Sequence, residues 1–587
     1  MDYIREKRIV TIYLGLLVAF LALAGRLFFL QAYRGEAYAM KALRQRTVAV
    51  SLEDVARGDI LDRKGRSLLD GRSEPRLIAF PPVIENKTQA AGQLAAVLHV
   101  EKQEILKRLQ GKAGIWPERL SLVQQQQIKA LKLTGVEVQA VDIRYGDRPL
   151  ASNTLGYLGK INSQSELYRL RTAAYTYAVP ASEIAKKYTI RDLVGKTGLE
   201  GYYEQQLKGA VPLKSLTVTL DGWGNYVRGM GVKVRAGTDQ GRNSLQLTLD
   251  RDIQILAEDA LQAGALKGAV VVMEAGSGDL LALASNPTFR PDQVGDYLSQ
   301  DAELTFLDQA VCLWQPGSVF KVLAAGAALE EGLVEPTTHL ICDDTLIKCN
   351  IWPQHSAISL DKALELSCNP AFARLGLELG GARLASYARL FGLGNQTIIG
   401  LPRKPDVRQD WGKMAGDIVN SSIGQGPVLV TPVQLTAMMA VVANGGSYVQ
   451  PRLVKEILGP DGRVVSTFSA GQKHRVISAK TAGQLTTMLE GVVIRGTGVK
   501  AGVPGVRIAG KTGSAQTGQA HSDSMPTDGD RNTAPNHTGT EAWFTGFLPA
   551  GNPRYVVTVL VHDGASGGET AAPVFRRIAR GLTSFSD

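Results

Sequence analysis

The sequence predicts an α+β protein with a single N-terminal transmembrane helix, a mixed domain of short strands and helices, and a larger domain of sheet and helices. Three observations carry this. An uncharged run of bilayer length lies near the N-terminus. A polar, Gly-rich stretch separates two long segments of ordinary globular composition. In the second segment strand-like runs lie at both ends with helical periodicity between them, so one sheet is assembled from distant parts of the chain.

The elements follow in order. Residues 9–25, IVTIYLGLLVAFLALAG, continue after Arg26 as Leu27-Phe28-Phe29-Leu30, giving an anchor over 9–30 behind a short tail, 1–8. Ala22-Leu23-Ala24 also has the small-x-small form of a signal-peptide cleavage site, but the apolarity persists beyond it and favours an uncleaved anchor. Flanking charge leaves orientation open, because Arg5, Lys7 and Arg8 precede the span while Arg34, Lys41, Arg44 and Arg46 follow it. Residues 45–235 read as the mixed domain, and the polar stretch Arg235 to Ser244 as a linker. Residues 245–585 form the larger domain: a strand and amphipathic helix, a hairpin about Ala275-Gly276-Ser277-Gly278-Asp279, helices from about 316 to 445, strands over 506–509, 542–548 and 555–561, and a closing helix near Pro573. The one long loop-like tract is 516–540, and a loop of that length in a compact domain is often functional.

Composition narrows the function classes. Of 587 residues, 44% are hydrophobic and 20% charged, which excludes a mostly disordered chain. The net charge of +10 is spread over many segments, so it suits anionic wall polymers or lipid headgroups and gives no nucleic-acid reader. Four cysteines fit either compartment, with a small disulfide loop between Cys342 and Cys349 open outside the cytoplasm. Their x6 spacing is no zinc signature and the seven histidines are scattered, so neither a metal nor any other cofactor is expected.

Three short motifs carry chemistry. Ser318-Val319-Phe320-Lys321 opens a helix, and i, i+3 spacing puts Ser318 and Lys321 on one face. A serine hydroxyl needs a base to become a nucleophile, and a lysine serves if burial lowers its pKa. Ser359-Leu360-Asp361-Lys362 matches the same pattern, but Ser359 stands just before an amphipathic run and reads as a helix N-cap. Ser367-Cys368-Asn369 lies at a helix end, where a second hydroxyl relays protons and an amide holds a carbonyl; a polar cap is the bland reading. Lys511-Thr512-Gly513-Ser514 follows a strand-like run, where an exposed edge pairs with an extended peptide. Gly505 to Thr512 also fits the phosphate-loop pattern, yet no helix starts well after Lys511-Thr512, so that reading fails on context. A second Lys196-Thr197-Gly198 reads as a turn and helix start.

In that chain order the three motifs match the shared signature of serine-lysine penicillin-recognising enzymes. The chain resembles a class B penicillin-binding protein, a single-pass monofunctional D,D-transpeptidase, over nearly its whole length. Further landmarks are Arg57-Gly58-Asp59-Ile60-Leu61-Asp62-Arg63-Lys64-Gly65, Gly198-Leu199-Glu200 with Tyr203-Glu204, Gly424-Gln425-Gly426 with Thr431-Pro432, and Ala542-Trp543-Phe544-Thr545-Gly546-Phe547. The resemblance implies a non-catalytic pedestal over 45–235 and a transpeptidase domain, an antiparallel sheet flanked by helices, over 245–585. It implies Ser318 as the acylated nucleophile, Lys321 as its base, Ser367 as proton shuttle and Asn369 as peptide holder. Lys511, Thr512 and Gly513 would form the edge-strand motif, with Thr512 near the substrate carboxylate, and the amides of Ser318 and Ser514 the oxyanion hole. The implied ligands are peptidoglycan stem peptides and β-lactams, and the implied partners are a membrane glycosyltransferase or other wall-synthesis proteins met through the pedestal. The catalytic domain would lie outside the cell membrane. Two departures stand out: Cys368 where the signature has Asp, and Ser514 where many relatives have Thr.

A β-lactamase or carboxypeptidase would use the same site and pass the acyl group to water, but has no need of the pedestal and anchor. Met1–Arg8 ahead of the span predicts no cytoplasmic output domain for a sensor.

Overall fold

The structure is a computed structural model that describes every residue except 1, 37, 39–45, 177–187, 222, 224–225, 228–229, 240, 299–301, 350, 352–354, 395–397, 402–408, 517–538 and 586–587. Lys41 and Arg44 of the flanking charge, and most of the expected functional loop 516–540, therefore lie outside the described residues.

Helix α1, Asp2–Phe28, continues as a π-helical turn over Phe29–Tyr33. Lys7–Tyr33 reaches a mean hydropathy of 2.1 with no part of that window buried. A helix apolar on every face and covered by nothing in its own chain is suited to lipid.

The chain forms two compact units that interleave along the sequence: one gathers Met1–Ala56, Arg72–Arg144 and Val211–Asp239, the other Arg57–Gly71, Tyr145–Ala210 and Gln240–Asp587. The expected linker contributes to strands at both ends, Lys233–Ala236 in the first unit and Ser244–Leu247 in the second. In the first unit, Arg72–Ala79 is the centre of an antiparallel sheet flanked by Gly114–Arg119 and Val136–Ile143. Helices Lys87–Leu98 and Lys102–Gln110 bury Leu94, Leu98, Ile105 and Leu109 with Trp116 in one core.

The second unit contains, in chain order, α2 (Arg251–Gln262), β1 (Gly268–Glu274), β2 (Leu280–Asn286), α3 (Lys321–Glu330), β3 (His339–Ile341), β4 (Ala357–Ser359), α4 (Leu360–Glu365), α5 (Asn369–Leu379), α6 (Pro432–Ala443), α7 (Ala479–Ile494), β5 (Ala509–Gln516), β6 (Thr540–Leu548), β7 (Tyr555–Val561) and α8 (Ala572–Ser584). Five strands pair antiparallel in the order β2-β1-β7-β6-β5, so the strand carrying Lys511 is an edge. The largely apolar sequences of β1, β2 and β7 follow from burial on both faces. Val270 and Val272 join α2 and α8 on one side, while Ala269, Val271 and Met273 join α3, α6 and α7 on the other. Helix α8 buries Val574, Phe575, Ile578 and Leu582, the i, i+4, i+8 stripe of a helix lying on a sheet. Helix α6 is buried along its length and starts with a Thr431–Gln434 capping box and Pro432 in its first turn.

Two landmark motifs meet inside this unit. Arg57 donates to Glu200 and Glu204 at 2.6 Å each and to the Glu200 carbonyl at 2.6 Å, and Tyr145 adds its hydroxyl to Glu200 at 3.0 Å. Burial works against the Arg57 charge, but the two carboxylates outweigh it and push its pKa up. The arginine motif also enters a sheet here, Ile60–Leu61 running parallel to Ser244–Leu247.

Candidate active site

Ser318 sits in a single 3-10 turn, Gly317–Phe320, that runs straight into α3. The Lys321 amide donates to the Ser318 carbonyl, and a 3-10 turn eclipses residues three apart, so Ser318 and Lys321 share a face more closely than an α-helix would give. Gly317 makes the turn possible. Its φ is +55°, and a Cβ there would lie 2.6 Å from the Ser514 carbonyl oxygen. Its amide donates at 3.0 Å to the carbonyl of Gly424, which gives the Gly424-Gln425-Gly426 landmark a part in placing Ser318.

The second motif is a helix C-terminus put to use. After α4, the Cys368 amide donates to the Ala363 carbonyl at 2.8 Å, closing a Schellman turn whose left-handed position is Ser367, φ +61°. Glycine is usual there; a serine costs about 1 kcal/mol or more in backbone strain. The turn presents the Ser367 carbonyl and hydroxyl together. Lys321 Nζ donates to that carbonyl at 2.7 Å, to Ser367 Oγ at 3.3 Å and to Asn369 Oδ1 at 2.6 Å.

The third motif lies on edge strand β5, not on a loop leading to a helix, which removes the phosphate-loop reading. Lys511 Nζ donates to Ser367 Oγ at 3.0 Å and to the Thr512 carbonyl at 2.8 Å. Thr512 Oγ1 is 2.6 Å from Thr497 Oγ1. Gly513 lets β5 close on the serine turn, because a Cβ there would meet the Pro316 carbonyl oxygen at 2.6 Å and Val319 Cγ2 at 2.9 Å. Ser514 is exposed, and its Oγ accepts from the Gly567 amide at 3.1 Å.

Ser367 Oγ thus stands between two lysines, both with no exposed surface. Burial pulls the Lys321 pKa down to about 7. Burial, then repulsion from Lys321, holds Lys511 well below the usual lysine range. A neutral amine beside a serine in the same turn is a proton acceptor; a hydroxyl between two amines is a proton relay. Lys511 lies on edge strand β5, and an edge strand can pair with an extended peptide.

All eight expected residues fall in this one unit. The structure joins Lys321, Ser367, Asn369, Lys511 and Thr512 through hydrogen bonds, and packs Gly513 and Ser514 against the turn of Ser318. Ser359 does occupy the N-cap position of α4, but its hydroxyl goes to the Asp361 carboxylate and caps no amide. Lys196-Thr197-Gly198 is a turn and helix start, as expected. Sequence reading missed Thr497 and Gly567; neither lies in a motif, and only the fold brings them to β5. It also left Cys342 and Cys349 open as a pair, whereas none of the four cysteines is in a disulfide and Cys342 Sγ lies 3.4 Å from Cys368 Sγ.

Comparison with known proteins gives the family. Residues 268–580 match the penicillin binding protein transpeptidase domain, more than half of the chain, and residues 52–237 match the penicillin-binding protein dimerisation domain. Stage V sporulation protein D of Bacillus subtilis is 30% identical, over 98% of this chain and 85% of its own. A chain from a solved peptidoglycan synthase complex superposes with a TM-score of 0.68 at 25% identity, covering 98% of each chain. Crystalline PBPA of Mycobacterium tuberculosis gives 0.52 at 29% identity over 68% of this chain and 89% of its own. The chain belongs to the class B penicillin-binding proteins, serine acyltransferases with a transpeptidase and a dimerisation domain.

Proposed function

We propose that this protein cross-links peptidoglycan by D,D-transpeptidation through an acyl-enzyme on Ser318. The observation that carries the reading is the buried Lys321, one 3-10 turn from Ser318, held by Ser367 and Asn369 with its pKa near 7. Lys321 accepts the Ser318 proton as Oγ attacks the carbonyl between the two terminal D-alanines of a stem peptide. Charge on the resulting oxyanion is met by the amides of Ser318 and Ser514, which the close approach at Gly317 supports. Ser367, bonded to both lysines, delivers the proton to the departing D-alanine. The arriving terminal carboxylate favours the charged form of the buried Lys511, which then supplies positive charge, and Thr512, with Ser514, takes that carboxylate; Asn369 steadies the peptide, which lies along β5 as an added strand. An amine of a second stem peptide then resolves the ester. A β-lactam mimics the peptide end and stays on Ser318.

The anchor over 9–30 holds the chain in the cell membrane with the catalytic domain on the wall side, and residues 45–235 meet a membrane glycosyltransferase or other wall-synthesis proteins. The full chain in detergent, given a stem pentapeptide and a labelled D-amino acid, should exchange the label into the peptide terminus. Release of D-alanine without any incorporation would replace transpeptidation with hydrolysis.

A further inference from the structure

Immediately beside the second motif lies a cluster that the reaction above does not use. Cys342 follows the strand β3, His355 precedes β4, Cys349 lies in the loop between them, and Cys368 stands between Ser367 and Asn369. The β3–β4 hairpin, closed by the Cys342 amide donating to the Ser356 carbonyl at 2.9 Å, brings the first three onto the turn that bears the fourth. Their ligand atoms all lie within 4.8 Å of one another. Cys342 Sγ is 3.4 Å from Cys368 Sγ, and Cys368 Sγ is 3.7 Å from His355 Nε2. Residues 343–349 of that loop have bonds of their own: the Cys349 amide donates to Asp344 at 2.7 Å, and Asp343 accepts from Thr345 and from Arg374 of α5.

We propose that Cys342, Cys349, His355 and Cys368 form a structural zinc site that clamps the Ser367-Cys368-Asn369 turn to the β3–β4 hairpin. Three thiolates and one imidazole are a closed tetrahedral set for Zn²⁺. With Zn–S of about 2.3 Å and Zn–N of about 2.0 Å, the edges of that tetrahedron are about 3.8 Å between sulfurs and about 3.6 Å from sulfur to nitrogen. The observed separations sit around those edges. A disulfide needs about 2.0 Å between sulfurs and would use two of the four groups only. On binding, each thiol yields its proton to solvent and the imidazole binds neutral through Nε2. The site is buried at Cys342 and Cys368 and half-buried at Cys349 and His355, as a structural metal requires. Its use follows from Cys368: that residue is flanked by the two side chains that hold Lys321, so fixing its sulfur fixes the strained Ser367. The site contains no exchangeable position for substrate, and it acts on the reaction by positioning.

The test is metal content of the full-length chain purified in detergent, by inductively coupled plasma mass spectrometry, with intact mass and thiol titration on the same samples. Wild type, Ser318→Ala and Cys312→Ser should each carry about one zinc per chain, since neither substitution touches the four ligands. Cys349→Ser and His355→Ala should lose it. Because Ser318→Ala keeps its zinc whatever Ser318 does, this result is independent of the proposed reaction. Where a ligand variant fails to fold, wild type stripped with a chelator and loaded with Co²⁺ should show the near-ultraviolet thiolate band and strong visible bands of a tetrahedral site. Removing zinc should also slow penicillin acylation severalfold, and added Zn²⁺ should restore it. Wild type without zinc, whether its thiols are free or its mass is two hydrogens low from a disulfide, overturns the proposal; so does equal zinc in wild type and Cys349→Ser.

Discussion

Between about pH 6 and pH 8 the acylation of Ser318 by a penicillin should rise roughly tenfold and then level off, because Lys321 must be neutral to accept the proton. Its pKa of about 7 follows from a side chain with no exposed surface. The neutral fraction is then about 0.1 at pH 6, about 0.5 at pH 7 and about 0.9 at pH 8. A lysine at its ordinary value of 10.5 would be neutral in only about 0.03% of molecules at pH 7, so burial enlarges the reactive fraction by about 10³. That shift corresponds to about 5 kcal/mol of disfavoured charge, a cost the fold carries elsewhere. The assay is the rate of covalent labelling by a fluorescent penicillin, followed by rapid quenching across the pH range. Lys321→Arg should label at no pH, since a guanidinium stays charged. A flat profile, or a rate that climbs tenfold per unit past pH 9 with no plateau, refutes the assignment of Lys321 as the base.

Other outcomes follow from the same geometry. Ser367→Ala removes the hydroxyl between Lys321 and Lys511 and should slow acylation about 10²-fold or more in the labelling assay, with the melting temperature little lowered. Gly317→Ala forces a Cβ against the Ser514 carbonyl at positive φ; rapid-quench labelling should show acylation lost or reduced by orders of magnitude while α3 still forms by circular dichroism. Arg57→Ala strands Glu200 and Glu204 in the interior and should destabilise by about 3–5 kcal/mol in denaturant unfolding, whereas its effect on labelling of the surviving folded protein should be small.

The sequence made the candidate catalytic centre legible for a physical reason. Each motif is a local device: a serine and lysine three apart in a helical turn, a serine-x-asparagine at a helix end, a lysine-threonine-glycine on a strand. Local devices survive reading one segment at a time. The edge position of Lys511 and the α+β class were legible too, from apolar runs separated by a long helical stretch. What stayed hidden depends on contacts between distant segments. That Ser367 touches both lysines needs α4 and β5 together, and its left-handed φ breaks the usual preference for glycine at that position. Arg57 gave no sign that it would meet Glu200 and Glu204, more than a hundred residues on. The interleaving of two units, with Arg57–Gly71 and Tyr145–Ala210 in the second, likewise escapes a reading that cuts the chain at one linker. Cys342, Cys349, His355 and Cys368 have no familiar ligand spacing because a hairpin and a helix end, rather than a knuckle, bring them together.

The measurement closest to the central claim is covalent labelling of wild type, Ser318→Ala and Ser359→Ala by a fluorescent penicillin, read by denaturing gel and intact mass. An adduct of one penicillin in wild type and Ser359→Ala, absent from folded Ser318→Ala and released slowly, is the predicted result. Labelling that persists in Ser318→Ala, or no adduct on folded wild type, contradicts the account.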